Sequence, residues 1–271
     1  SLNKNYLRNI LNKRKKRNSL KKIFSKSKIV CLTAYTAPIA RIADKCADII
    51  LVGDSVGPVL YGHKSTRHVD MDMIIRHAKS VVKNTKEAFI VVDMPFGTYE
   101  VSKYKALENA RKIISSTGAM AVKLEGGEKV ADTIQFLTKN KIKVMGHLGM
   151  LPQSIKGKPK VYGRSEKEKK QIFKDISVLK KVGVFSVVVE CTLKKIVDEL
   201  IKFSDLPIIG IGASECCRGQ IIVTEDILGM TEFKTKFSKK YLDFFPLAKQ
   251  AVGMFSYEVI SGKYPKKKQC Y

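Results

Sequence analysis

Residues 121–149 read AVKLEGGEKVADTIQFLTKNKIKVMGHLG. An apolar run at 121–126 is followed by an amphipathic stretch at 129–140 and a second apolar run at 143–149. Short, nearly continuous apolar runs fit strands buried on both faces of a parallel sheet, and the amphipathic stretch fits the helix that returns across it. The segment is therefore a β–α–β unit, and the same alternation extends in both directions. Further strand-like runs lie at 29–35, 48–54, 88–95, 185–191, 207–213 and 220–226. Helical patterns lie at 37–46, 70–83, 104–117, 166–182 and 193–203, several ending near Gly or Asn, as helix C-termini often do. Eight strands joined by helices predict an α/β protein, a (β/α)8 TIM barrel forming one domain. The alternative is an open doubly wound sheet. No glycine-rich phosphate fingerprint follows a strand, because Gly53-Asp54-Ser55-Val56-Gly57 matches neither GxGxxG nor GxxxxGK[ST]. One spacing is short for a parallel crossover: only residues 214–219 separate the seventh run from the eighth, so either a helix is missing or a strand is misplaced.

The 271 residues suffice for one such barrel, and 44% hydrophobic content supports a sizeable core rather than disorder. No apolar run approaches the 18 residues of a membrane span. The formal charge of +26, from 51 Lys+Arg against 25 Asp+Glu, raises the question of nucleic acid or an anionic surface. However, residues 1–28 carry 11 basic side chains and no acid, and Lys263, Lys266, Lys267 and Lys268 close the chain. The organisation expected is a basic N-terminal arm at 1–28, a catalytic barrel at 29–262 with a C-terminal helix at 241–262 covering it, and a basic tail at 263–271. The 13–17 run (KRKKR) reads as a solvated arm or, less simply, as a nucleic-acid patch. The six cysteines show no CxxC spacing, and the arm lacks the apolar stretch of a secretory signal. Both point to reduced thiols and a cytoplasmic setting.

Catalytic groups of such barrels gather at the C-terminal ends of the strands. Here those ends carry Asp54-Ser55, Asp93, Lys123 with Glu125, His147, and Glu190-Cys191. Lys123 and Glu125 are two apart and share one face of their strand. A single acid at a strand end can simply cap a helix. Five polar ends together describe a site. Asp54, Asp93 and Glu125 converging on one mouth would repel unless a cation lies among them, and oxygen-only ligands suit Mg²⁺. Such an ion fits a chelating 2-oxo acid and the enolate formed when a neighbouring C–H loses its proton, with Glu190 as general base. His147 reads equally well as a structural histidine, and Cys191 as packing.

At these residues the chain resembles the ketopantoate hydroxymethyltransferase family. The resemblance runs over roughly residues 28–230, through Leu32-Thr33-Ala34-Tyr35, Ile50-Leu51-Val52-Gly53-Asp54-Ser55, Gly62-His63-Lys64-Ser65-Thr66 and Asp93-Met94-Pro95-Phe96-Gly97. It continues through Val122-Lys123-Leu124-Glu125-Gly126-Gly127, Gly146-His147-Leu148-Gly149-Met150-Leu151-Pro152-Gln153-Ser154, Glu190-Cys191 and Ile209-Gly210-Ile211-Gly212-Ala213. It implies a one-carbon transferase that converts 3-methyl-2-oxobutanoate and 5,10-methylenetetrahydrofolate to 2-dehydropantoate in pantothenate biosynthesis. By motif, it implies Asp54, Asp93 and Glu125 as ligands of one Mg²⁺ per subunit, Asp54, Ser55, Asp93 and Lys123 as oxo-acid contacts, and Glu190 as proton acceptor. It further implies a homo-oligomer, commonly a decamer, acting on small molecules in the cytoplasm without membrane or nucleic-acid partners. Two other readings stand beside it: a related Mg²⁺-dependent C–C lyase of 2-oxo acids, and an RNA- or membrane-binding scaffold using the basic arm. The chain departs from the family pattern at Thr36, Lys64, Ser214, Arg218 and Glu225. These departures bear on the folate side and on the mouth between strands seven and eight, where three of them cluster.

Overall fold

A computed structural model describes residues 19–155, 159–232 and 235–271. The 13–17 basic run lies outside the described residues. Eight parallel strands close into a barrel in chain order. They are β1 (Ile29–Thr33), β2 (Ile49–Val52), β3 (Phe89–Asp93), β4 (Ala121–Glu125), β5 (Val144–Gly149), β6 (Ser186–Glu190), β7 (Ile208–Ile211) and β8 (Gly219–Ile222), with β8 returning to pair with β1. The helices in chain order are α1 (Leu20–Phe24), α2 (Ala37–Ala43), α3 (Val56–Tyr61), α4 (Met71–Lys83), α5 (Lys103–Thr117), α6 (Ala131–Lys139), α7 (Glu166–Lys181), α8 (Lys194–Phe203), α9 (Thr224–Ile227) and α10 (Phe244–Ile260). Side-chain caps set several starts: Asp70 accepts from the Met73 amide at 2.7 Å and Ser102 from the Lys105 amide at 3.1 Å.

The period-two alternation of the strands divides the core in two. Ile50, Val52, Ile90, Val92, Val122, Leu124, Val187 and Val189 face outward onto the helices. Ile49, Leu51, Phe89, Val91, Ala121, Met145 and Val188 face inward, in a cluster that includes Ile23 of α1. Following the inward positions upward, Phe89 and Val91 lead to Asp93, Ala121 leads to Lys123 and Glu125, and Met145 leads to His147. The apolar interior thus ends in a layer of charge by continuation of the same face. The last ten residues of the expected arm do not extend into solvent: Ile23 is fully buried in the inward cluster, with Leu20 and Phe24 packed against it.

The short β7–β8 connection hides no helix. Both strands are real and parallel, with Ile209 opposite Gly219, and residues 212–218 span the return as a turn. Ser214 organises it: its hydroxyl accepts from the Cys216 amide at 3.1 Å and donates to Asp198, while its carbonyl accepts from Gln220 Nε2 at 2.8 Å. Lys28 ties the same turn through the carbonyls of Glu215 and Cys217, at 2.7 and 2.8 Å. Arg218 donates to the Phe24 carbonyl at 2.7 Å, at the α1 end of the barrel. The sequence reading that put the departures Ser214, Arg218 and Glu225 together at the mouth is therefore corrected for Arg218, which stands at the opposite end.

Below the charged layer, Asp44 is the clearest polar anchor. Its buried carboxylate accepts the amides of Lys86, Glu87 and Ala88 at 2.9, 2.9 and 2.8 Å, joining the end of α2 to the entry of β3. Removing it leaves three amides without their acceptor, each lost bond worth on the order of 1–3 kcal/mol. Asp44→Ala should lower stability by about 3 kcal/mol, read as a shift of the urea unfolding midpoint.

Residues 225–271 form a second compact unit. Its helix α10 falls within the expected 241–262 stretch. Leu247, Val252, Phe255 and Ile260 are all more than half exposed. Within this unit, Thr231 donates its hydroxyl to Asp226 Oδ1. Among the described residues no helix is long and apolar enough to cross a membrane.

Candidate active site

The strand register assembles the site. Asp93 lies opposite Lys123 across β3–β4, Glu125 opposite His147 across β4–β5, and Gly149 opposite Glu190 across β5–β6. Partners in a parallel ladder share a face, so these side chains form one arc around the barrel mouth. Lys123 Nζ lies 2.9 Å from Asp93 Oδ1 and 3.3 Å from His147 Nδ1. His147 Nδ1 is 3.6 Å from Glu125 Oε1, and its Nε2 is 3.1 Å from Glu190 Oε2. Asp54 joins from the end of β2, where its amide donates to Asp93 Oδ2 at 2.9 Å. That approach needs Gly53, since a Cβ there would lie 2.9 Å from Ser55 Oγ and 3.4 Å from Asp93 Oδ2. Ser55 Oγ is 2.6 Å from the buried Tyr35 hydroxyl.

Burial dominates the electrostatics. It raises Asp93, where Lys123 opposes the rise and Asp54 adds to it, to about 6. Burial likewise raises Glu125. For Lys123, burial pulls downward, but attraction to Asp93, Asp54 and Glu125 outweighs it and holds the ammonium charged. For His147, burial and Lys123 pull downward, and the contacts to Glu125 and Glu190 outweigh them, lifting the imidazole to about 9. Glu190 is the open end of the arc: its side chain is 14% exposed, against 2% for Asp93 and Glu125.

The backbone around Glu190 is tightly specified. Its carbonyl accepts from the Met150 amide at 2.9 Å and the Thr192 hydroxyl at 3.0 Å. Gly149 has φ +87°, and a Cβ there would meet the Glu190 carbonyl at 2.2 Å. The next residue, Cys191, holds φ +43°, a left-handed conformation costly for a side chain. Its thiol is pushed up to about 11 by burial and by Glu190, which keeps it neutral, as expected of a packing cysteine.

All six residues singled out from the sequence, Asp54, Ser55, Asp93, Lys123, Glu125 and Glu190, thus come to one mouth, and His147 lies inside the arc. The sequence reading gave no role to Gln153 or Tyr99. Gln153 Nε2 donates to Asp54 Oδ2 at 2.9 Å, and its backbone amide donates to Glu125 Oε2 at 3.1 Å. The Tyr99 hydroxyl donates to Gln153 Oε1 at 2.7 Å. Gln153 was visible only as part of the Pro152-Gln153-Ser154 motif, and nothing local marked Tyr99. Among the described residues no three His, Cys, Asp or Glu side chains are already gathered as a closed metal cage.

Comparison with known sequences decides the family. The ketopantoate hydroxymethyltransferase profile matches residues 14–267. The chain belongs to this family. A 3-methyl-2-oxobutanoate hydroxymethyltransferase of Pelagibacter ubique is 47% identical over 262 residues, covering 97% of this chain and 98% of the relative. One of Rhizobium etli is 46% identical over 240 residues, covering 88% of each. Among solved structures, a phosphoenolpyruvate phosphomutase of Streptomyces platensis aligns with TM-score 0.61 at 13% identity, covering 90% of this chain and 87% of that one. A phosphonopyruvate hydrolase in complex with oxalate and Mg²⁺ aligns with TM-score 0.57 at 11% identity, covering 91% and 89%. At such identities the likeness shows the barrel fold alone. Membership of the ketopantoate hydroxymethyltransferase family rests on the sequence relatives.

Proposed function

We propose that this chain transfers a one-carbon unit from 5,10-methylenetetrahydrofolate to 3-methyl-2-oxobutanoate, with water supplying the hydroxyl oxygen and tetrahydrofolate released, giving 2-dehydropantoate in pantothenate biosynthesis. The observation that carries the reading is the arc Asp93–Lys123–His147–Glu190, flanked by Asp54 and Glu125, in a chain 47% identical to a relative of that name. The acid set fits Mg²⁺: Glu125 Oε1 is buried without a hydrogen bond, Asp93 Oδ1 is buried with the Lys123 ammonium 2.9 Å away, and only carboxylate oxygens are offered. A closed cage is not required, because Mg²⁺ usually keeps several waters and leaves positions open for substrate. Asp54, Asp93 and Glu125 would hold it, and when bound it supplies Lewis-acid polarisation of the oxo acid's carbonyl.

The chain's own residues do the rest. Lys123, fixed and charged, offers donors to the oxo acid's oxygens, and Ser55, oriented by Tyr35, offers a second polar contact. Glu190 removes the proton from carbon 3, beside the carbonyl. His147 Nε2, 3.1 Å from Glu190, holds a proton where the carboxylate can be steadied in its working orientation. The enzyme works in the cytoplasm as a homo-oligomer, a decamer by family resemblance.

The decisive experiment incubates purified protein with 3-methyl-2-oxobutanoate, 5,10-methylenetetrahydrofolate and Mg²⁺ and follows product by mass spectrometry. 2-Dehydropantoate should form only when all three are present. Its absence from the complete mixture overturns the reading, and cleavage of an isocitrate-like acid by the same protein would favour the lyase.

A further inference from the structure

We infer that Gln153 is a positioning residue that holds the acids of the site in a metal-receptive arrangement, with Tyr99 fixing its orientation; the inference rests on the magnesium reading above. Gln153 is 2% exposed, yet its polar groups are fully engaged. Its side-chain nitrogen donates to Asp54 Oδ2 at 2.9 Å and to the Met94 carbonyl at 3.0 Å, both acceptors. Its side-chain oxygen accepts from Tyr99 at 2.7 Å, and its backbone amide reaches Glu125 Oε2 at 3.1 Å. Reversing the amide would set oxygen against two acceptors, so the orientation is unique. Tyr99 is buried, and burial with the nearby Glu125 raises its hydroxyl far above the ordinary range, which preserves it as a donor.

The consequence is a division of labour among the carboxylate oxygens. Asp54 Oδ2 and Glu125 Oε2 are each occupied by Gln153, and Asp93 Oδ2 by the Asp54 amide. Of the buried oxygens that remain, Glu125 Oε1 is left without a hydrogen bond and Asp93 Oδ1 faces the Lys123 ammonium at 2.9 Å. One residue from the segment after β5 thus ties the ends of β2, β3 and β4 together, and Tyr99, from the segment after β3, locks that residue. Outer groups of this kind orient metal ligands, and their loss typically costs about 10–100-fold in metal affinity.

The test is calorimetric titration of the full chain with magnesium chloride alone. Gln153→Met keeps the side chain's length and removes all three side-chain hydrogen bonds, and Tyr99→Phe removes only the lock. Magnesium should bind on the order of 10–100-fold more weakly to Gln153→Met, and more weakly to Tyr99→Phe by a smaller factor. The KM for 3-methyl-2-oxobutanoate should rise in parallel. A dissociation constant within twofold of wild type in both variants overturns the inference, even if either loses thermal stability, because a purely structural role predicts that pattern. Should Gln153→Met fail to fold, Tyr99→Phe alone decides. Wild-type protein that takes up no magnesium overturns the metal reading itself, a result distinct from equal binding by all three proteins.

Discussion

The Glu190→Gln enzyme is expected to bind 3-methyl-2-oxobutanoate nearly as well as wild type and to turn it over about 10²–10⁴-fold more slowly, the usual worth of a general base. The substitution is close to isosteric, and the amide oxygen still faces His147 Nε2 across the 3.1 Å contact. The backbone that sets Glu190 is untouched, since its carbonyl keeps the Met150 and Thr192 bonds. What disappears is a carboxylate able to take a proton from carbon. The loss should therefore fall on kcat with little change in KM. A second readout isolates the step: wild type with Mg²⁺ in D₂O, without folate, should exchange the carbon-3 hydrogen of the oxo acid, and the variant should not. Near-wild-type turnover, or unimpaired exchange, would place the base elsewhere in the mouth.

Much of this site was legible because its residues sit in periodic elements. A β–α–β unit places Lys123 and Glu125 on one face by spacing alone, and barrel closure then puts Asp93, His147 and Glu190 at neighbouring strand ends. Spacing could not supply the register. That Asp93 stands opposite Lys123, and Gly149 opposite Glu190, is fixed by pairing between strands tens of residues apart. Gln153 and Tyr99 were illegible as a pair for a similar reason: both lie in irregular segments, and their contacts join positions 54 residues apart. The β7–β8 connection was misread in part because a helix is the common way to cross between parallel strands. Here Ser214, Lys28 and Gln220 stabilise a turn in its place. The buried role of Ile23 was masked by the seven basic residues from Arg14 to Lys26, whose charge made the whole segment read as solvated.

The largest structural effect is expected from Lys123→Met. Lys123 is 5% exposed, and its ammonium faces Asp93 at 2.9 Å in a mouth that also holds Asp54 and Glu125. Methionine fills most of the same volume, so the cost is electrostatic rather than a cavity. Two effects oppose each other. Losing the ammonium strands the Asp93 carboxylate, and breaking one partner of a buried pair costs about 3–5 kcal/mol. It also relieves repulsion between Lys123 and His147, leaving the imidazole freer to carry the compensating charge. The first effect should win, because the Asp93 contact is the shorter and joins opposite charges, whereas His147 already has Glu125 and Glu190 to balance. Stability in EDTA should fall by about 3 kcal/mol by urea unfolding, and activity by at least about 100-fold. Magnesium then offers a second check. Bound only by the folded state, it stabilises in proportion to the logarithm of its saturation. An ion that supplies the missing positive charge should raise the melting temperature of the variant more than that of wild type. A variant that is as stable as wild type in EDTA, or one that magnesium stabilises no further, would show that the acids are balanced by His147 alone.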